Sequence, residues 1–338
     1  MTVRGMLLVA RLEFRTRLRT GRWRTLFGVW FLVVALFSLL LRGFVDTEDS
    51  DDDGVMMFGT LLFFVLLLML LITPALTAQS INGDRERGTL APLQLTRLTP
   101  LEIASGKLLA AWSTGLAVLA LALPFIAWPI LEGDVSPVRG IVCVAVTALL
   151  IGVVCAVSQA LSALVVRGVT SGLLSYLTVF GLMFGTVIAF FLVFSFFTTT
   201  EHYKGADGYY RSEEPDTSYT WWILAPNPFV VLADAAPSVP REPVCPFYSD
   251  APEPECYYDS DDGPDVLGWV GQSVRETRVG VRRPGESYEH YERRKETAPA
   301  VWPYGLGFNL LLAAGSLTIT TRRLRVPVER LPKGVRVA

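Results

Sequence analysis

The chain has 338 residues, 51% of them hydrophobic and only 18% charged, with a mean hydropathy of +0.41. That balance excludes an ordinary soluble protein. The net charge of −2 says nothing about partners, because acids and bases are sorted into separate segments and cancel only in the sum.

Residues 1–24 hold seven arginines against one acid, Glu13. Leu7, Leu8, Leu12, Phe14 and Leu18 interleave with Arg11, Arg15, Arg19 and Arg22, the pattern of a basic amphipathic helix over 1–22 that lies among lipid headgroups. A cleavable signal peptide fits poorly: the basic region is too long, and no small-residue cleavage site precedes the acidic stretch that follows. The first apolar run, 23–41, leads into that stretch, with Asp46, Glu48, Asp49, Asp51, Asp52 and Asp53. The second, 56–77, ends on Thr73 and Pro74, a kink signal.

Residues 79–107 then pack Asp84, Arg85, Glu86 and Arg87 together, with breaks at Gly88 and Pro100, and cannot sit in hydrocarbon. Further apolar runs cover 108–131, 141–166, 173–197 and, least uniformly, 301–321. Each approaches the roughly 20 residues that cross a hydrocarbon core of about 30 Å. The expected fold is therefore an all-α polytopic membrane protein with six transmembrane helices. The basic segments alternate with acidic turns, which places both termini, including the tail 322–338, in the cytoplasm of a cell-membrane protein.

The same parity puts 198–300 outside. Within it, 219–236 is apolar but broken by Pro226, Asn227 and Pro228, and reads as a pair of re-entrant helices with Trp221 and Trp222 at the interface. Residues 237–300 read as a small irregular domain in which Cys245 and Cys256 are a disulfide candidate, with an entropic stabilisation of about 2–3 kcal/mol. Cys143 and Cys155, in the fourth run, read as buried thiols.

The residues of most catalytic chemistries are missing. The only histidines, His202 and His290, lie in the outer segment, and no HExxH pair occurs. Ser105, Gly106 and Lys107 lack the first glycine and the hydroxyl of a phosphate loop, so this chain is read as a non-enzyme without a nucleotide site or metal of its own. Ser158, Gln159 and Ser162 are the most polar cluster within a run, read as interhelical hydrogen bonding ahead of pore lining.

The 79–107 segment resembles the segment that joins the second and third spans in permease subunits of ABC-2 type transporters, the type V exporter fold. The resemblance rests on Asp84-Arg85-Glu86-Arg87-Gly88-Thr89-Leu90, then Thr99-Pro100-Leu101-Glu102-Ile103, then Gly106-Lys107. Asp84 stands in place of the usual first glutamate, and Ala91 where an acid is common. The resemblance implies a cytoplasmic coupling helix seated in a separate ABC ATPase subunit. Asp84, Arg85, Glu86 and Arg87 would supply ionic contacts, and Leu90 and Leu93 apolar anchoring. ATP and magnesium would belong to that partner, which would drive two copies of the permease, identical or paralogous, to export a drug, antibiotic or lipid-like molecule. The membrane lipids are the other partner, and nucleic acid is not one. The competing expectation is a membrane anchor that uses the same ATPase contact to act on the outer domain without passing substrate.

Overall fold

The computed structural model describes residues 2–18, 22–45, 53–90, 98–205, 208–239, 265–283 and 285–325. Five helical segments are long and apolar enough to cross a membrane: Thr25–Phe44, Gly54–Glu86, Pro100–Glu132, Pro137–Leu164 and Gly168–Phe194. In element terms these are α2 (Arg22–Val45), α3 (Asp53–Thr77) with the short α4 (Asn82–Glu86), α5 (Pro100–Glu132), α6 (Pro137–Leu164), and α7 (Gly168–Phe180) with α8 (Thr186–Phe194). A multi-pass membrane protein follows from their length and composition.

Helix α3 is the central element. Its Phe58, Leu61, Leu62, Val65, Leu66, Met69 and Leu70 are all fully buried, packed among residues of α5 and α6. Pro74 costs it an interior N–H, and Thr73 and Thr77 turn their hydroxyls back onto the Met69 and Thr73 carbonyls at 2.6 and 2.8 Å. Trp112 Nε1 donates to Ala148 O at 2.8 Å and ties α5 to α6. Leu32, Leu36, Leu39 and Leu40 of α2, and Leu173, Leu177, Ile188 and Leu192 of α7 and α8, point away from the chain and suit contact with hydrocarbon.

The helix ends follow from local chemistry. Thr99 and Glu102 form a reciprocal capping box at the start of α5, with Pro100 at the first helical position, and Gly133 closes that helix with φ 102°. Ser136 caps α6 by accepting from Arg139 N at 3.3 Å. The third apolar run thus sits inside a longer helix. Residues 100–107, expected as part of a connecting segment, are its first two turns.

Past α8 an antiparallel ribbon pairs β1 (Thr198–Gly205) with β2 (Gly208–Pro215), in register from Thr198↔Pro215 to Gly205↔Gly208. The ribbon amends the all-α expectation. The 219–236 region holds one α-helix, α9 (Pro228–Ala235), preceded by 3-10 turns at Thr217–Tyr219 and Trp221–Ile223, where two short helices were expected. The described part of 237–300 is more regular than expected, with α10 (Val266–Val279) and α11 (Tyr288–Glu296). Last comes α12 (Trp302–Leu324), which at about 1.5 Å per residue runs some 35 Å. Asn309, Ser316, Thr318, Thr320 and Thr321 dilute its apolar character, and it is not among the five apolar segments.

The N-terminal helix α1 (Val3–Leu18) packs Val9 and Ala10 toward the first half of α5 and exposes Leu7, Leu8 and Leu12 with Arg4, Arg11 and Arg15. Cys143 and Cys155 are buried thiols that are not in a disulfide. The acidic residues Asp46 to Asp52, Leu93, Cys245, Cys256 and the tail 326–338 lie outside the described residues.

Candidate functional site

The charged segment after α3 is held to the bundle by a buried ionic junction. Lys107, in the second turn of α5, is 2% exposed, and its ammonium donates to Glu13 of α1 and to Asp84 of α4. One cation thereby fastens three elements. Glu102 adds a second fastening between α1 and α5: beside its bond from Thr99 N at 2.9 Å, it accepts from the Thr2 hydroxyl at 2.8 Å and from Thr2 N.

Helix α4 begins at Ile81, which supplies no side-chain cap. Ser162 of α6 takes that role from across the bundle, its hydroxyl oxygen accepting from Ile81 N and Asn82 N, each at 3.1 Å. Next to it Gln159 Nε2 donates to Ala104 O of α5 at 2.8 Å. Ser158, Gln159 and Ser162 are all buried within this chain, which places two of them in interhelical bonds. Ser171 of α7 donates to Ala78 O at 2.9 Å, so three helices, α5, α6 and α7, grip the end of α3 and the start of α4.

Beyond that mount the chain turns outward. Asp84 Oδ1 accepts from Arg87 Nη2 at 3.0 Å and from the Thr89 hydroxyl at 3.1 Å, and Asp84 O accepts from Thr89 N at 2.9 Å. Gly88 sits between them at φ 69°, a left-handed conformation that disfavours any side chain. The result is a tight knuckle with Arg85, Glu86, Arg87, Gly88 and Thr89 exposed.

Not every residue expected to face a partner does so. Leu90 is 8% exposed, in a cluster with Ile81, Ile103, Ala104, Ala163 and Leu324, and anchors the knuckle to its own chain. Asp84 is drawn inward by Lys107. Thr99 is exposed, but with Pro100 it initiates α5.

The opposite end of the bundle holds a junction that the sequence reading missed. Asp234 of α9 is buried, and its carboxylate accepts from Arg275 Nε of α10 and from the Val301 and Trp302 N–H groups at the start of α12, both at 2.6 Å. Arg275 Nη2 also reaches Asp234 O at 2.9 Å. The available signal was a lone acid in an apolar run. Nearby, Arg139 of α6, buried to 2% exposure, donates through Nη2 to both oxygens of Asp265, at 2.6 and 2.7 Å, which fixes the start of α10 over the bundle. Trp222 is exposed, whereas Trp221 lies under the Arg278 guanidinium, 4.7 Å from the ring centre, with Tyr304 edge-on to it.

No protein-family model matches the chain, and no curated protein matches it by sequence. Among the described residues no group of three or more His, Cys, Asp or Glu side chains is placed to hold a metal ion.

Proposed function

We propose that this protein is the membrane subunit of an ATP-driven exporter of the ABC-2 type, and that the knuckle Arg85–Thr89 is its contact with a separate cytoplasmic ATPase subunit. The observation that carries the reading is the contrast within one short segment. Five exposed residues of mixed charge project from a base whose every element is capped, paired or buried, an arrangement that transmits a push without absorbing it. The motif order from Asp84 to Lys107 supplies the family. In this reading α12 is the sixth span, both termini are cytoplasmic, and two copies enclose the path of an apolar or amphipathic substrate. Arg85, Glu86, Arg87 and Thr89 make the contact, and Leu90 maintains its shape.

The test separates knuckle from mount. Co-expressed with its ATPase subunit in proteoliposomes, the protein with Glu86→Arg loses co-purification and ATP-stimulated transport while its melting temperature stays within error. Leu90→Ala lowers the melting temperature, by about 2 kcal/mol of stability for a buried leucine at the edge of a cluster. Transport that persists without any ATPase, or a Glu86→Arg protein that still assembles and works, overturns the assignment.

A second reading, a mechanotransmitting anchor, draws on the Asp234 junction. It locks α9, α10 and α12 together, so tilting α12 carries the outer helices along. Deleting residues 240–264 leaves substrate export intact in the first reading and abolishes output in the second.

A further inference from the structure

The α7–α8 helix is continuous except at Gly181–Gly185, where one turn is wound as a π-helix. Such a turn accommodates one extra residue, leaves a carbonyl without its usual α-helical partner, and is frequently found at functional sites. The compensation here is Asn227, the residue between Pro226 and Pro228. Its Nδ2 donates to Met183 O at 2.7 Å and to the Thr186 hydroxyl at 2.9 Å, while its Oδ1 accepts from Phe229 N at 2.9 Å and caps α9. One amide group thereby serves as the cap of one helix and the plug of another's irregular turn.

The plug is held from behind. Asn309 Nδ2 of α12 donates to Pro226 O at 3.1 Å. At Gly305 a Cβ would stand 2.0 Å from Ala225 O, so only glycine lets α12 approach the turn this closely. The Ala225–Pro228 turn is a wedge between the π-turn and α12. On the other side, Cβ atoms placed at Gly181 and Gly185 would meet nothing within 4 Å, so none of the described residues packs against the turn at these two positions.

We infer that the α7–α8 helix is a two-register element, wound with the π-turn while Asn227 is docked and as uninterrupted α-helix when it withdraws. Removing one extra residue turns everything after Gly185 by about 100° and shifts it by about 1.5 Å along the axis. Ala189 then takes the position of Phe190, which is buried in a cluster with Leu224, Ala225, Val230, Val274 and Val301. Phe190 moves to the exposed position that Phe191 now holds. The inference does not rest on the ATPase reading: it concerns the register of one helix and is measured without nucleotide or substrate.

The test is cross-linking in a background with all four cysteines replaced, using a short bifunctional thiol reagent on the full chain in nanodiscs. With Asn227 intact, Phe190→Cys joins Leu224→Cys in preference to Ala189→Cys. Asn227→Asp keeps an acceptor for Phe229 N but replaces the donor to Met183 O with a repelling carboxylate. It is expected to reverse the preference at least tenfold, so that Ala189→Cys joins Leu224→Cys. Thr186→Val, which removes one of the two acceptors and leaves the wedge untouched, shifts the ratio in the same direction by a smaller factor. An unchanged preference in both variants overturns the inference. So does loss of both cross-links in Asn227→Asp with no shift in Thr186→Val, which makes Asn227 a fixed staple.

Discussion

The Lys107 ammonium donates to the Asp84 carboxylate across the junction of α5 and α4, and the only other acid it touches among the described residues is Glu13 of α1. Two partly exposed acids share this one buried cation, and Arg87 Nη2 gives Asp84 a second, exposed one at 3.0 Å. Lys107→Met takes the shared buried cation from both carboxylates and leaves Asp84 with the exposed Arg87. Breaking a fully buried pair costs about 3–5 kcal/mol, and the partial exposure of both acids brings the expected loss to about 2–3 kcal/mol. Thermal unfolding in detergent reads the loss, and protease digestion reads release of α1. A Lys107→Met protein as stable as the parent, with α1 still protected, shows that the junction is held by packing alone.

How much of this arrangement the sequence discloses depends on the range of each interaction. The start of α5 is local: Thr99, Pro100 and Glu102 spell a capping box within four residues, and the helix begins there. The five apolar segments are equally local. The partners of Lys107 are not, since Glu13 is 94 residues away and Asp84 is 23, and no periodicity within a helix registers such a meeting. Leu90 illustrates the converse. Its place in the charged motif suggested an outward anchor, and only the arrival of Leu324 from the last helix shows that it faces inward. The ribbon after α8, in register from Thr198↔Pro215 to Gly205↔Gly208, was passed over by an all-helical reading. The π-turn has no sequence signature beyond the glycines that bracket it, because its cause is Asn227, more than 40 residues downstream.

Asp234 carries the opposite end of the bundle in the same way that Lys107 carries the first. Asp234→Asn keeps the shape and an acceptor for the Val301 and Trp302 N–H groups, but removes the charge opposite Arg275. Asp234→Ala removes both. The expected losses are about 1–2 kcal/mol for the first and about 3–5 kcal/mol for the second, the latter because Arg275 Nε and two helix-start donors lose the carboxylate together, while Arg275 Nη2 keeps the Asp234 main-chain oxygen. Hydrogen exchange at Val301, Trp302 and the α10 amides reads the difference. Equal exchange in the two variants would mean that the ion pair matters and the bonds to the Val301 and Trp302 N–H groups do not.

The α11 clamp is one part of the molecule whose stability follows pH. Glu286 accepts from Arg283 N at 3.0 Å, and its two oxygens take Arg294 Nε at 3.0 Å and Nη2 at 2.9 Å, with His290 Nε2 3.8 Å away. The Arg283 N–H first, then the Arg294 guanidinium outweighing partial desolvation, hold the Glu286 carboxyl below its ordinary value. A lowered pKa in the folded state means that the clamp's contribution is complete above the ordinary glutamate range and is lost as pH falls through the lowered value. Other charges around α11 are Glu276, Glu289, Glu292, Arg293 and Lys295; Lys295 pairs with Glu292 at 3.4 Å and lies 4.8 Å from the Tyr291 ring. Hydrogen exchange at the Tyr291 and Thr297 amides, corrected for intrinsic rate, is therefore expected to stay slow from neutral pH down to the ordinary glutamate range and to accelerate below it, and Glu286→Gln removes that acid step while raising exchange at neutral pH. If the Gln variant keeps the step, another carboxyl on α10 or α11 is responsible, and the Arg294 clamp is not what holds this helix in place.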